Sequence, residues 1–131
     1  MPGPPYEDDP SIRDDAALWR IIHPNWIVRD DNVRGWRISS AAFYDSKDGS
    51  PLSVLLAEII ASTGRTADDL LMRFTGRGLA AITAAAARAH RQGVARTPHP
   101  DEPAHASVFG DKTGSVRRAL AQAANWVHFP K

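Results

Sequence analysis

The stretch His105-Ala-Ser-Val-Phe-Gly-Asp-Lys-Thr-Gly-Ser-Val-Arg-Arg-Ala-Leu-Ala-Gln-Ala-Ala-Asn-Trp-Val-His128 decides the fold class. Residues 105–109 read as a short strand, and Gly110 and Gly114 mark a turn. An amphipathic helix follows: Val116, Leu120, Ala123 and Val127 recur at helical spacing, and Ala119 and Ala124 widen the same face. Arg117, Arg118, Gln122 and Asn125 fall mostly on the opposite side. The turn gathers Lys112, Thr113 and Ser115 where a helix leaves unpaired N–H groups that attract anions. A strand, a turn and a helix in one segment predict a protein that mixes both element types.

Outward from that segment, three prolines between Thr97 and Pro103 exclude helix, and Val94–Thr97 reads as a strand. Residues 79–92 are alanine-rich and predict a helix stopped by Gly93, with a strand at 80–83 as the competing reading. Thr66 and Asp69 form a capping arrangement that opens a helix to Phe74. Residues 52–60 fit either a helix led by Ser50 and Pro51, or a buried strand with a short helix after it; the second is preferred. Trp19–His23, Trp26–Arg29 and Gly35–Ile38 are rich in aromatic and β-branched residues and read as strands, with a polar turn at 30–32. The sum is an α+β fold, a small mixed β-sheet packed against a few α-helices, in a single domain over residues 16–131. Residues 1–15 form a Pro-rich acidic arm that cannot bury enough to order itself and is expected to be extended.

At 131 residues with 43% hydrophobic and 24% charged residues, the chain has the composition of an ordinary soluble globular domain. The absence of cysteine excludes a disulfide framework, thiolate metal sites and a cysteine nucleophile. No secretory signal pattern and no membrane span are read in the sequence, so a cytoplasmic location is expected. The net charge of +1 is unevenly spread. Residues 1–15 hold five acids and one arginine, whereas residues 73–131 hold nine bases and three acids. That asymmetry points to self-association of the two ends or to an anionic partner for the second half.

Several constellations fail as motifs. Gly110-Asp-Lys-Thr113 lacks the glycine spacing of a phosphate-binding loop, and Asp111 would repel phosphate. His99, Asp101, Glu102 and His105 offer metal donors, but Pro100 and Pro103 break the helix that a zincin motif needs. His105-Ala-Ser107 has no second copy to make a two-histidine phosphoesterase. Arg20, the Ser39–Ser40 pair and Glu58 follow the order of Arg-Ser-Glu ADP-ribosyltransferases, with spacing too short for that fold. Trp19, Trp26, Trp36 and Trp126 interleave with Arg20, Arg29 and Arg37, a pattern shared by single-stranded nucleic-acid platforms and by core packing with cation–π contacts.

The strings Trp-Arg-x-x-His-Pro-x-Trp (19–26), Ser-Ser-x-x-Phe (39–43), Leu-Ser-Val (52–54), Pro-Ala-His-Ala (103–106) and Lys-Thr (112–113) resemble a group of small bacterial proteins to which no activity is attached. The resemblance covers roughly residues 19–128. It implies a bacterial, cytoplasmic, single-domain unit and carries over no functional residue.

Two functions are expected. The first is a binding module for a protein or anionic ligand, nucleic acid included, using the basic C-terminal half: Lys112, Thr113, Ser115, Arg117, Arg118, Arg88 and Arg91. The alternative is a small enzyme acting on a nucleotide or other phosphate-containing substrate. There His105 is acid and base, Arg20 and Lys112 stabilise charge, and Ser39 or Ser40 orients the substrate. No metal or cofactor is expected, no membrane is involved, and the sequence leaves the oligomeric state open. Space separates the readings: an enzyme gathers Arg20, His23, Ser40 and His105 in one concave site, whereas a binding module scatters them.

Overall fold

The computed structural model describes residues 6–30 and 35–130. The first five residues of the arm lie outside the described residues; of the turn expected at residues 30–32, Asp30 ends a strand and the other two residues lie outside the described residues. Strands β1 (Ala17–Ile22), β4 (Leu52–Leu56), β5 (Gly78–Thr83), β6 (Gly93–Arg96), β7 (His105–Phe109) and β8 (Asn125–His128) form one six-stranded sheet. Strands β2 (Ile27–Asp30) and β3 (Gly35–Ile38) pair as a separate two-stranded ribbon. The main sheet runs β6-β7-β4-β1-β5-β8. Helices α1 (Ala57–Ser62), α2 (Ala67–Arg73), α3 (Ala84–Ala89) and α4 (Gly114–Ala123) complete the α+β fold. Every described strand pair is antiparallel, so the sheet is not mixed as expected.

The two-residue period of the strands gives the sheet two apolar faces. Leu18, Ile22, Val54, Leu56, Ile82 and Val108 point to one side, where Leu120 of α4, Ala84 and Ala87 of α3 and Phe43 close the main core. Leu55 and Leu79 point to the other side with Trp19 and Ile21, against Ile60 of α1 and Leu70 of α2. Local signals set the helix starts. Thr66 and Asp69 make the expected reciprocal capping box, and Thr83 and Thr113 cap α3 and α4 through their hydroxyls.

Three expectations are corrected. The alanine-rich segment is strand β5 up to Thr83 and helix only from Ala84, because Leu79–Thr83 fills the place beside β1 over a six-pair ladder. Arg91, at φ 64°, takes the left-handed position after α3. Gly93 instead opens β6, where a Cβ would drive into the Phe109 ring. Helix α4 stops at Ala123, and Trp126 and Val127 turn into β8, which pairs with the free side of β5.

The arm docks on the body. Asp9 N–H donates to Val94 O, and Asp8 Oδ1 accepts from Val94 N–H at the outer edge of β6. Arg88 reaches Asp8, Asp14 and the Asp9 carbonyl, Tyr6 stacks on Phe109, and Ile12 is fully buried in the main core. Among the described residues no helix is long and apolar enough to cross a membrane.

Candidate active site

The sheet opens between β1 and β4. Their ladder consists of Leu18↔Leu56 and Trp19↔Leu55 alone, and beyond it the strands part. Arg20 fills the gap. Its Nε donates to Ala42 O at 3.0 Å, its Nη1 donates to Ser53 O at 2.9 Å, and its guanidinium lies over the Trp26 ring at 5.1 Å. Ser53 O, which has no strand partner on this side, is thereby satisfied. Burial lowers the Arg20 pKa to about 10, so the group remains cationic at neutral pH.

On the other side of β4 lies β7, with Ser53 opposite Ser107 and Leu55 opposite His105. This register brings His105 Nε2 to 3.1 Å from Ser53 Oγ. At the far side of the ring, Nδ1 lies 2.9 Å from Thr97 O and 2.8 Å from Thr97 Oγ1. A carbonyl can only accept, so Nδ1 carries the proton of the neutral ring and Nε2 presents its lone pair to the Ser53 hydroxyl. Thr97 Oγ1 reaches on to Ser107 Oγ at 2.9 Å. Burial is the main cause that holds the His105 pKa below its ordinary value, with His99 (ring centroids 4.1 Å apart) adding to it. A hydroxyl on β4, a base facing it on β7 and a carbonyl just past the end of β6 that orients the base follow one another.

Trp19, Arg20, Ser53, Arg73, Phe74 and His105 line a cavity of about 320 Å³ on the α2 side of the sheet. Glu102 at its rim is held by both Arg65 guanidinium nitrogens at 2.7 and 2.8 Å, and this pairing is the main cause of its lowered pKa. Glu102 Oε2 also accepts from Ala104 N–H, and the His99 and Glu102 backbones bond reciprocally, so the proline loop that precedes His105 is fixed. Glu102 is paired with Arg65; Arg20 and Arg73 are the other charged residues of the lining, and Trp19 and Phe74 give the cavity apolar walls. Among the described residues no group of three or more His, Asp or Glu could hold a metal.

The remaining sequence candidates lie elsewhere. Ser39 accepts from Ala41 N–H as the cap of a 3-10 turn (Ser40–Phe43), His23 caps the turn Pro24–Trp26, and Ser40 lines a second cavity, across the sheet from His105. Lys112 is buried: its ammonium donates to Val108 O at 2.8 Å and pairs with Asp45 at 2.6 Å. Arg88 is taken by the arm, and Arg117 bonds Lys112 O and lies over the Tyr44 ring at 4.0 Å. Thr113 caps α4 and Ser115 sits exposed in its first turn. Arg91 and Arg118 are exposed. Of the residues expected in one concave site, Arg20 and His105 line the same cavity without touching, whereas His23 and Ser40 lie outside it. Ser53 and Thr97 were not among the site candidates; the one sequence signal for Ser53 is a hydroxyl between Leu52 and Val54 in an apolar strand.

Comparison with known protein families, with curated proteins and with solved structures finds no match for this chain.

Proposed function

We infer that this protein is a small hydrolytic enzyme acting on a phosphate ester, with Ser53 as nucleophile, His105 as general base and acid, and Arg20 as the stabiliser of negative charge. The observation that carries the reading is the 3.1 Å contact of His105 Nε2 with Ser53 Oγ while Thr97 fixes the opposite nitrogen, in a cavity that Arg20 also lines. Ser53 Oγ forms a bond to the substrate phosphorus as the bond from phosphorus to the leaving oxygen breaks. The Ser53 proton moves to His105 Nε2 and then to that leaving oxygen. Water, deprotonated by the same nitrogen, releases phosphate and restores the serine. Arg20 offsets the charge on the phosphoryl oxygens, and its effect is strengthened by burial. Trp19 and Phe74 suit an apolar or planar group on the ester. Arg73 adds positive charge at the rim.

An alkyl fluorophosphonate tests this without knowledge of the natural substrate, because attack by Ser53 expels fluoride and leaves a stable adduct. Peptide mapping is expected to place the adduct on Ser53, and His105→Ala is expected to slow labelling by about 100-fold or more, the ordinary worth of a positioned general base. A folded wild-type protein left unlabelled at Ser53, or one labelled equally well without His105, would overturn the reading.

A further inference from the structure

The second cavity, of about 690 Å³, lies between the β2–β3 ribbon and α4, on the side of the sheet away from His105. Trp36 and Arg37 from β3, Ser40 from the following 3-10 turn, Arg118 and Gln122 from α4 and Trp126 from β8 are among its lining residues. Trp36 is 51% exposed, so the largest of the apolar side chain types stands open to solvent here. Trp126 carries Phe129 edge-on at 5.0 Å, and Phe129 is itself 47% exposed. The groove is therefore lined by indoles from two separate strands, Trp36 exposed and Trp126 partly so.

Its polar groups have a definite sign. Among the described residues no carboxylate lines the groove, and two guanidiniums do. Arg118 makes no ion pair with any described residue, unlike Arg65, Arg88 and Arg96, which are all paired. Gln122 lies one helical turn beyond Arg118 on the same exposed side of α4, and its amide can both donate and accept. Exposed indole, unpaired guanidinium, an amide and a hydroxyl together match a planar, hydrogen-bonding ring joined to a phosphate. A simple anion would leave the tryptophans unused, and an apolar ligand would strand Arg118. We propose that this groove binds a nucleobase joined to phosphate, either a free nucleotide or one unit of a single-stranded nucleic acid. The base stacks on Trp36 or Trp126 and the phosphate pairs with Arg118. This site does not depend on Ser53 or His105.

Fluorescence anisotropy with labelled oligouridylate and oligothymidylate, beside calorimetry with uridine and adenosine monophosphates, tests the proposal and separates its two sources. Binding to at least one class is expected in the wild-type protein. Trp36→Ala is expected to weaken it by about 5- to 150-fold, the worth of one base–aromatic stack, whereas Trp36→Phe keeps most of it. Arg118→Ala is expected to weaken binding and to flatten its dependence on salt. His105→Ala is expected to bind as the wild type does, so loss of the enzymatic reading leaves this one intact. Failure of both classes to bind the folded wild-type protein overturns the proposal, as does binding indifferent to Trp36 and Arg118. A dimer that dissociates on Trp36→Ala, with no nucleotide bound, would assign the groove to a second copy of the chain instead.

Discussion

Lys112 brings a positive charge inside the protein, with its side chain 4% exposed, and Asp45, at 39%, answers it from the surface. The asymmetry of the pair sets the cost of breaking it from each side. Removing Asp45 leaves a buried ammonium with only carbonyls, and also frees Leu52 N–H, which Asp45 accepts. Asp45→Ala should therefore cost about 3–5 kcal/mol, the range for an uncompensated buried charge. Lys112→Met keeps the volume, removes the buried charge and leaves a carboxylate that water can reach, so its cost should be smaller. Chemical denaturation of both variants checks the order, and a larger loss for Lys112→Met would refute it. His105 gives a pH test at the same scale. Burial holds its pKa below the ordinary 6.5 or so of a free imidazole, so the base form persists into mild acid. Labelling of Ser53 should stay level as pH falls through that value and decline only below it. The same displacement contributes stability that is complete above the unfolded pKa and lost as pH falls through the lowered folded one. A labelling profile with its acid midpoint above 6.5 would contradict this assignment of the base.

Helix α4 is the element that closes the main core, and Leu120 is its fully buried anchor. Leu120→Ala should cost about 2–5 kcal/mol, read as a fall in thermal midpoint; a melt left unchanged would make α4 peripheral. The start of this helix was legible, because Thr113 caps through its own side chain and needs nothing distant. Its end was not. Val127 continues the helical spacing, but β5 has an open edge that Asn125–His128 satisfies, and only the folded sheet reveals that edge. Gly93 misled for a similar reason: a glycine after an alanine-rich run reads as a stop, whereas its role is to let Phe109 of β7 lie against the backbone. The candidate site was legible as two residue types and no further. His105 and Arg20 stood out by chemistry, but Ser53 faces His105 because β4 and β7 are neighbours across about fifty residues of intervening chain. No periodicity or cap encodes that adjacency. Lys112 is hidden from the sequence for the same reason, since a lysine in a polar turn gives no sign that it folds inward and pairs with Asp45.

At the scale of the whole molecule, the acidic beginning and the basic second half are brought together within one chain. Arg88 sits between Asp8 and Asp14, and Arg96 meets Asp9 and Glu58, so the charge asymmetry is partly spent inside the fold. These pairs are partly exposed to water, so each adds little and salt screens it. Ile12 is different. It is fully buried against the main core, and the arm that carries it also covers the outer edge of β6 through Asp8 and Asp9. An uncovered edge strand is a site for unwanted pairing between molecules. A chain that starts at Ala16 should therefore lose more than its ion pairs: at least about 2 kcal/mol from Ile12 alone, with a tendency to associate through β6. Ile12→Ala in the full chain separates the causes. If burial dominates, its loss of melting temperature should be most of the truncation's loss and should persist at high salt. If the arm is an electrostatic tether, Ile12→Ala should be nearly silent and 0.5–1 M salt should abolish the difference between the full and shortened chains, because the Debye length there is only about 3–4 Å.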